Sequence, residues 1–316
     1  MRWLKQMLKG MLPARWTQRV QCHLGLPRRV QVLEKQLRIL TEHLAQDRSP
    51  TLVPKTQFHA PINAHELKVF SQNGEDGILL YLFSKIGAAS NTFVEFGIGD
   101  GSECNTANLS INFGWRGLLM DCESRNVNAA RRFYDDELRT ASDRIQIIEC
   151  MVTAENINDV LATNGFQGEI DLLSIDIDGN DYWVWKAIDV VNPRVVVCEY
   201  NACFGCDRAI TVAYDPVFDR RAKHPSLLYF GASLPALTAL AKTKGYVLAG
   251  CDQHGVNAFF VRQDLAAGCI QALTPAEAYY PLRDRLMGII GPDHFQQILR
   301  QHRVRRHRRP HARPVR

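Results

Sequence analysis

No stretch of this 316-residue sequence strings together 18 apolar residues, so no segment is long enough to cross a bilayer as a helix. The opening MRWLKQMLKGMLPARW lacks the unbroken apolar core of a signal peptide, because Lys5, Lys9 and Pro13 interrupt it. The expected location is therefore cytoplasmic. The nine cysteines are odd in number and scattered, which argues against a disulfide framework. Cys203 and Cys206 have C-x-x-C spacing, yet no second pair or histidine cluster completes a zinc site. They read as two unlinked thiols in a loop. No internal repeat is present, which excludes a solenoid or propeller.

Acidic residues are missing from 301–316, where seven arginines give a net charge of +7. Residues 1–50 also carry +7, with ten Lys/Arg against three Asp/Glu. The whole chain is only +5, which leaves 51–300 at −9. A basic head and tail thus flank an acidic body. Such ends attract anionic surfaces: lipid headgroups, polyanionic glycans or nucleic acid. A body this acidic disfavours nucleic acid, whose phosphates need basic surface around the working site.

With 46% hydrophobic residues the chain can build a sizeable core. Residues 1–48 read as a basic helical extension. Val30, Leu33, Leu37, Leu40 and Leu44 step by 3, 4, 3 and 4, an a/d seam. Two heptads are too short for an isolated coiled coil, so residues 30–44 either pair with a second copy or lie on the main domain. The segment before the seam suits packing, self-association or a place peripheral to a membrane. Residues 49–62, with three prolines, read as a linker, 63–295 as the main domain, and 300–316 as an Arg/His-rich disordered tail. Within the domain, short apolar strands alternate with helices of ten to fifteen residues. That pattern predicts an α/β fold with a mostly parallel sheet covered on both faces. The last strand, NAFFVRQ, follows its neighbour after only DQHGV, too short for a parallel crossover, and is expected to be antiparallel.

The stretch FVEFGIGDGSEC places Glu95 ahead of Gly97, Gly99 and Gly101 at the end of the first strand. A dinucleotide loop wants G-x-G-x-x-G with a pyrophosphate on the helix N-terminus, and Glu95 and Asp100 would repel it. The acids suit a cationic ligand without phosphate, of which S-adenosylmethionine is one, with a sulfonium and an α-ammonium. On that reading the glycines let the backbone approach the ligand, and Glu95 accepts from the ammonium, directly or through water. Asp121, closing the second strand, or Glu123 just after it, accepts from ribose hydroxyls.

Residues 70–262 resemble the FkbM-type branch of class I S-adenosylmethionine-dependent methyltransferases. The residues that carry the resemblance are FSQNGEDGILLYLF, FVEFGIGDGSECNTANL, GLLMDCES, DLLSIDIDGNDYWVWKAI, VVVCEYN and GVNAFFV. The resemblance implies a Rossmann-like sheet of seven strands with the last antiparallel. It also implies methyl transfer to a hydroxyl of a saccharide, glycolipid or related natural product. Ser71, Gln72 and Glu75 would lie over the methionine end of the cofactor, with capping of the next helix as the local alternative for Ser71.

A second acidic cluster, SIDIDGND, puts Asp176 and Asp178 two residues apart at the end of the fourth strand. Glu199 and Asn201 repeat that spacing at the end of the fifth. On strands each pair would share a face. Asp176, Asp178, Glu199 and Asn201 could supply oxygens to Mg²⁺. This resembles metal-dependent O-methyltransferases, although Glu199-Tyr-Asn201 stands where those pair an adjacent Asp-Asn. Alternatively a carboxylate, Asp178 first, acts as general base, or an Asp merely caps the next helix. His224, in the long loop after the fifth strand, is a further candidate base or positioning group. Without catalysis, the domain would be a methyltransferase-fold scaffold of a surface-polysaccharide pathway.

Overall fold

The computed structural model describes residues 62–138 and 143–282, and the backbone of 305–306. The expected helical extension over 1–48, its seam at 30–44 and nearly all of the 49–62 linker lie outside the described residues. So do 283–304 and 307–316.

The elements follow the predicted alternation. Helix α1 (Glu75–Ile86) leads to β1 (Thr92–Phe96), α2 (Ala107–Phe113), β2 (Arg116–Asp121), α3 (Ser124–Leu138) and β3 (Ile145–Glu149). Then come α4 (Ile157–Thr163), β4 (Gly168–Ile175), α5 (Asp181–Ala187) and β5 (Val191–Glu199). Helix α6 (Leu234–Thr243), β6 (Tyr246–Cys251) and β7 (Asn257–Arg262) complete the sheet. The strand order is β3-β2-β1-β4-β5-β7-β6. Neighbours from β3 to β5 are parallel, and β7 is antiparallel to both β5 and β6. This is the Rossmann-like, seven-stranded, mostly parallel sheet with an antiparallel last strand expected from the sequence.

Strand alternation builds the two faces. Val94, Phe96, Leu118, Met120, Leu173 and Val196 point to a core closed by Leu161 of α4, Trp185 of α5 and Leu237 of α6. Phe93, Leu119, Leu172, Val195 and Val197 point the other way, to Leu79 of α1, Leu109 of α2 and Tyr134 of α3. Apolar residues on both faces explain why these strands read as continuous apolar runs. Trp185 and Tyr182 are buried, and the Trp183 indole donates to Val212 O at 2.9 Å. The aromatic run on α5 therefore packs that helix.

The strand order reverses between β1 and β4, so a crevice opens above their C-terminal ends. Residues 202–233 form a long excursion that returns over that end. Its neck is pinned by Val212 N donating to Gly231 O and Ser233 N to Ile210 O, at 3.0 and 2.8 Å. Of the Arg/His-rich tail, Arg305–Arg306 pair antiparallel with Ile210–Thr211 along the neck. Among the described residues no helix is long and apolar enough to cross a membrane.

Candidate active site

A cavity of about 990 Å³ lies in the crevice. Its floor comes from the ends of β1, β2, β4 and β5, and its walls from Gln72–Asn73, Pro216–Arg221 and His254.

The three glycines divide the work of the turn. Gly97 (φ 80°) is pressed on β4: a Cβ there would lie 1.4 Å from the Asp176 carbonyl oxygen. Gly101 (φ 81°) seats on α3, where a Cβ would come within 2.9 Å of the Ala130 Cβ. Only Gly99 (φ 55°) faces open space. Gly97 and Gly99 line the cavity and Gly101 does not.

Glu95 is buried and absent from the cavity lining, which corrects the direct form of its expected contact with a ligand ammonium. Its Oε1 accepts from Asn105 N (2.9 Å) and Ser174 Oγ (3.1 Å). Its Oε2 accepts from Thr106 N (3.0 Å) and Thr106 Oγ1 (2.5 Å). The carboxylate therefore covers the amides leading into α2, the place where a phosphate would sit in a dinucleotide fold. Burial raises its pKa, against the pull of these donors.

Asp121 does line the cavity. Its Oδ2 accepts from Gly99 N at 2.9 Å, and its Oδ1 from Glu123 N (2.9 Å) and Asn126 Nδ2 (3.1 Å). The amide of the open glycine thus already points at a carboxylate. Glu123 stands at the mouth, paired with Arg125 at 2.6 Å. Gln72 lines the cavity, whereas Glu75 is buried behind it, accepting from Asn73 N (2.7 Å) and Asn257 Nδ2 (2.8 Å). Ser71 Oγ accepts from Asp76 N at 3.0 Å and Asp76 Oδ2 from Ser71 N at 2.9 Å, so Ser71 serves its own turn.

At the other end, Asp176, Asp178 and Glu199 each offer an oxygen within 4.8 Å of the others. They meet by a different route from the expected one. Strand β4 ends at Ile175, and Asp178 takes φ 56°, so strand alternation does not govern 176–178. Burial first, then the charges of Asp178 and Asp181, push Asp176 well above the usual carboxylate range. Burial and the neighbouring Asp176 and Asp178 do the same to Glu199. Glu199 is 8% exposed and its Oε2 has no hydrogen-bond partner. Asp178 differs: it is exposed and ion-paired with Arg220.

Asn201 does not join the cluster, a correction to its place in the ligand set. Its Nδ2 donates to Leu228 O (2.8 Å) and Phe230 O (3.0 Å), and its Oδ1 accepts from Cys203 N (3.0 Å). The chain has left β5 after Glu199, so the two-residue spacing no longer selects a face. Nor does His224 line the cavity. Its Nδ1 accepts from Ser226 N at 3.1 Å in the turn that follows Arg220–Lys223. Asp181 accepts from Ile177 N (2.8 Å) and Gly179 N (3.0 Å), which fixes the turn carrying Asp178. Arg220, unmarked by any motif, is the cation brought to the cluster. Cys203 and Cys206 are free thiols.

No protein-family model and no curated protein matches the chain. Among solved structures it is similar to an O-methyltransferase from Bacillus cereus in complex with SAH, at 15% identity and TM-score 0.37 over 71% of this chain and 87% of that one. It is also similar to the N-terminal domain of EvdMO1 with SAH bound, at 14% and 0.39 over 61% and 81%. A third is the geranyl diphosphate C-methyltransferase of Streptomyces coelicolor A3(2), at 14% and 0.35. The match covers 55% of this chain and 62%, less than two thirds, of that one.

Proposed function

We propose that this chain is an S-adenosylmethionine-dependent O-methyltransferase of the FkbM type, acting on a hydroxyl of a saccharide, glycolipid or related natural product. The observation that carries the reading is the filling of both phosphate sites by the chain's own carboxylates. Glu95 covers the entry to α2, and Asp121 takes the Gly99 amide. A pyrophosphate has nowhere to sit, whereas a nucleoside bearing a positive sulfur meets a floor of carboxylates. The acceptor class rests on the sequence resemblance.

When bound, S-adenosylmethionine supplies an electrophilic methyl group on its sulfonium. Asp121, held by three donors, keeps acceptor capacity for ribose hydroxyls. Met151 and Val217, exposed apolar residues on the cavity wall, suit a flat base or an apolar acceptor. Burial and raised pKa values support Asp176 and Glu199 as the pair that takes the acceptor hydroxyl's proton. The three carboxylates and the unpartnered Glu199 Oε2 also fit a hard cation. Asp176, Asp178 and Glu199 would hold Mg²⁺, which would lower the pKa of a hydroxyl beside it.

The test is transfer of isotope-labelled methyl from S-adenosylmethionine to a panel of saccharides and glycolipids. Label in a hydroxyl-bearing glycan supports the reading. Label only in amines, nucleic acid or nothing, despite cofactor binding, rejects the acceptor class.

A further inference from the structure

We infer that Arg220 is the resident cation of the acidic cluster, supplying there the positive charge a divalent metal would bring and keeping Asp178 from ligating one. The inference rests on the cluster being the reaction centre, and it decides between the two chemistries open to it.

Three contacts fix the guanidinium. Its Nη1 pairs with Asp178 Oδ1, its Nε donates to Leu227 O at 3.2 Å, and its Cζ lies 4.3 Å from the centre of the Phe230 ring. Arginine suits this place because its guanidinium is weakly hydrated, planar and always charged, and the aromatic face compensates for lost water.

The backbone is bent to make the fit. Among the described residues three non-glycines have left-handed φ: Asn91, Asp178 (56°) and Leu227 (58°). Two of the three are the oxygen partners of Arg220. A leucine in that conformation is held there by its surroundings. Leu227 N donates to His224 O at 3.0 Å, and Ser226 Oγ accepts from Leu228 N at 3.2 Å. His224 thus acts at a distance, by building the turn that aims the Leu227 carbonyl at Arg220.

The loop that carries Arg220 is tied to the turn that carries Asp178. Phe218 fills the space beside Gly179, where a Cβ would come within 2.2 Å of its ring. Asn180 Nδ2 donates to Asp215 O at 2.7 Å, and Lys223 pairs with Asp215 at 2.7 Å. The positive charge of Arg220 also reaches Glu199, where it opposes the effect of burial. With Asp178 taken, the carboxylate trio found among the described residues is reduced to Asp176 and Glu199, too few charged oxygens for tight binding of a hard cation.

The experiment is titration of the full chain with Mn²⁺, followed by electron paramagnetic resonance of the free ion, with S-adenosylmethionine calorimetry on the same samples. Wild type is expected to show only weak binding. Arg220→Ala should open a site about tenfold tighter or more, since one adjacent positive charge is gone. Asp178→Asn added to Arg220→Ala should abolish it. Arg220→Lys keeps the charge and should stay weak, and Arg220→Gln, which removes the charge but keeps much of the side chain, should show the same gain where Arg220→Ala does not fold. Tight Mn²⁺ binding by wild type that Glu199→Gln removes would overturn the inference, as would no gain, or a gain equal to that of Arg220→Lys, in Arg220→Ala. Absence of S-adenosylmethionine binding would instead sink the methyltransferase reading and leave the Mn²⁺ result to judge Arg220.

Discussion

The two ends of the cavity use the same side-chain chemistry in opposite ways. Under β1 and β2, Glu95 and Asp121 accept from four and three donors of their own chain. Above β4 and β5, burial pushes Asp176 and Glu199 well above the usual carboxylate range, and one Glu199 oxygen has no donor at all. A carboxylate whose lone pairs are satisfied is part of the scaffold and shapes what can bind. One left short of donors in a buried site is poised to take a proton or a cation.

The contrast is sharpest in two substitutions. Glu199→Gln removes the proton acceptor but keeps shape, so turnover should fall about 10²- to 10⁴-fold while calorimetric S-adenosylmethionine binding persists. Equal loss of both would make Glu199 a scaffold residue. Glu95→Ala should act the other way. It strands the Asn105 and Thr106 amides in a buried setting, at about 3 kcal/mol of folding stability by urea denaturation. A stable Glu95→Ala variant that merely binds cofactor weakly would restore Glu95 to the binding site.

Two further buried carboxylates hold the loops at the Gln72–Asn73 and His254 wall of the cavity, and they make the comparison pH-dependent. Asp76 accepts from Val69, Phe70 and Ser71 N at 2.8, 2.7 and 2.9 Å, and burial lifts its pKa from 3.8 to about 6. Asp252, bonded to His254 N at 2.7 Å, is lifted by burial and by Glu75 to about 7. Each binds a proton more tightly folded than unfolded. Its contribution is complete below the unfolded value of 3.8 and is lost as pH rises through the folded one. The thermal midpoint should therefore decline as pH rises from about 4 to about 7, and Asp252→Asn should flatten the decline. A midpoint that climbs over that range would contradict the assignment. The smallest effect is expected at Gly99. An added Cβ meets nothing within 4 Å, so Gly99→Ala should cost only about 1 kcal/mol, for its left-handed φ.

Strand composition and spacing made the sheet legible, down to the antiparallel last strand inferred from the short DQHGV connection. The cluster was legible in part, because Asp176 and Glu199 sit at the ends of apolar runs. Glu95 was misread because its partners, Asn105 and Thr106, lie ten and eleven residues on, where no local pattern ties them to a strand end. Asn201 was misread because alternation was extended past Glu199, where the strand stops, whereas Asp178 does join the cluster, by a left-handed turn beyond Ile175 rather than by alternation. Arg220 was invisible. It reaches the site through a loop whose course depends on the Phe218–Gly179 contact and on a leucine in a left-handed conformation, and neither has a sequence signature.

The most direct test of the central claim is calorimetric titration of the full chain with S-adenosylmethionine and, separately, with NAD⁺. Because Glu95 and Asp121 already occupy the amides a phosphate would use, the sulfonium nucleoside should bind and NAD⁺ should give no heat of binding. Saturable binding of NAD⁺ with none for S-adenosylmethionine would contradict it.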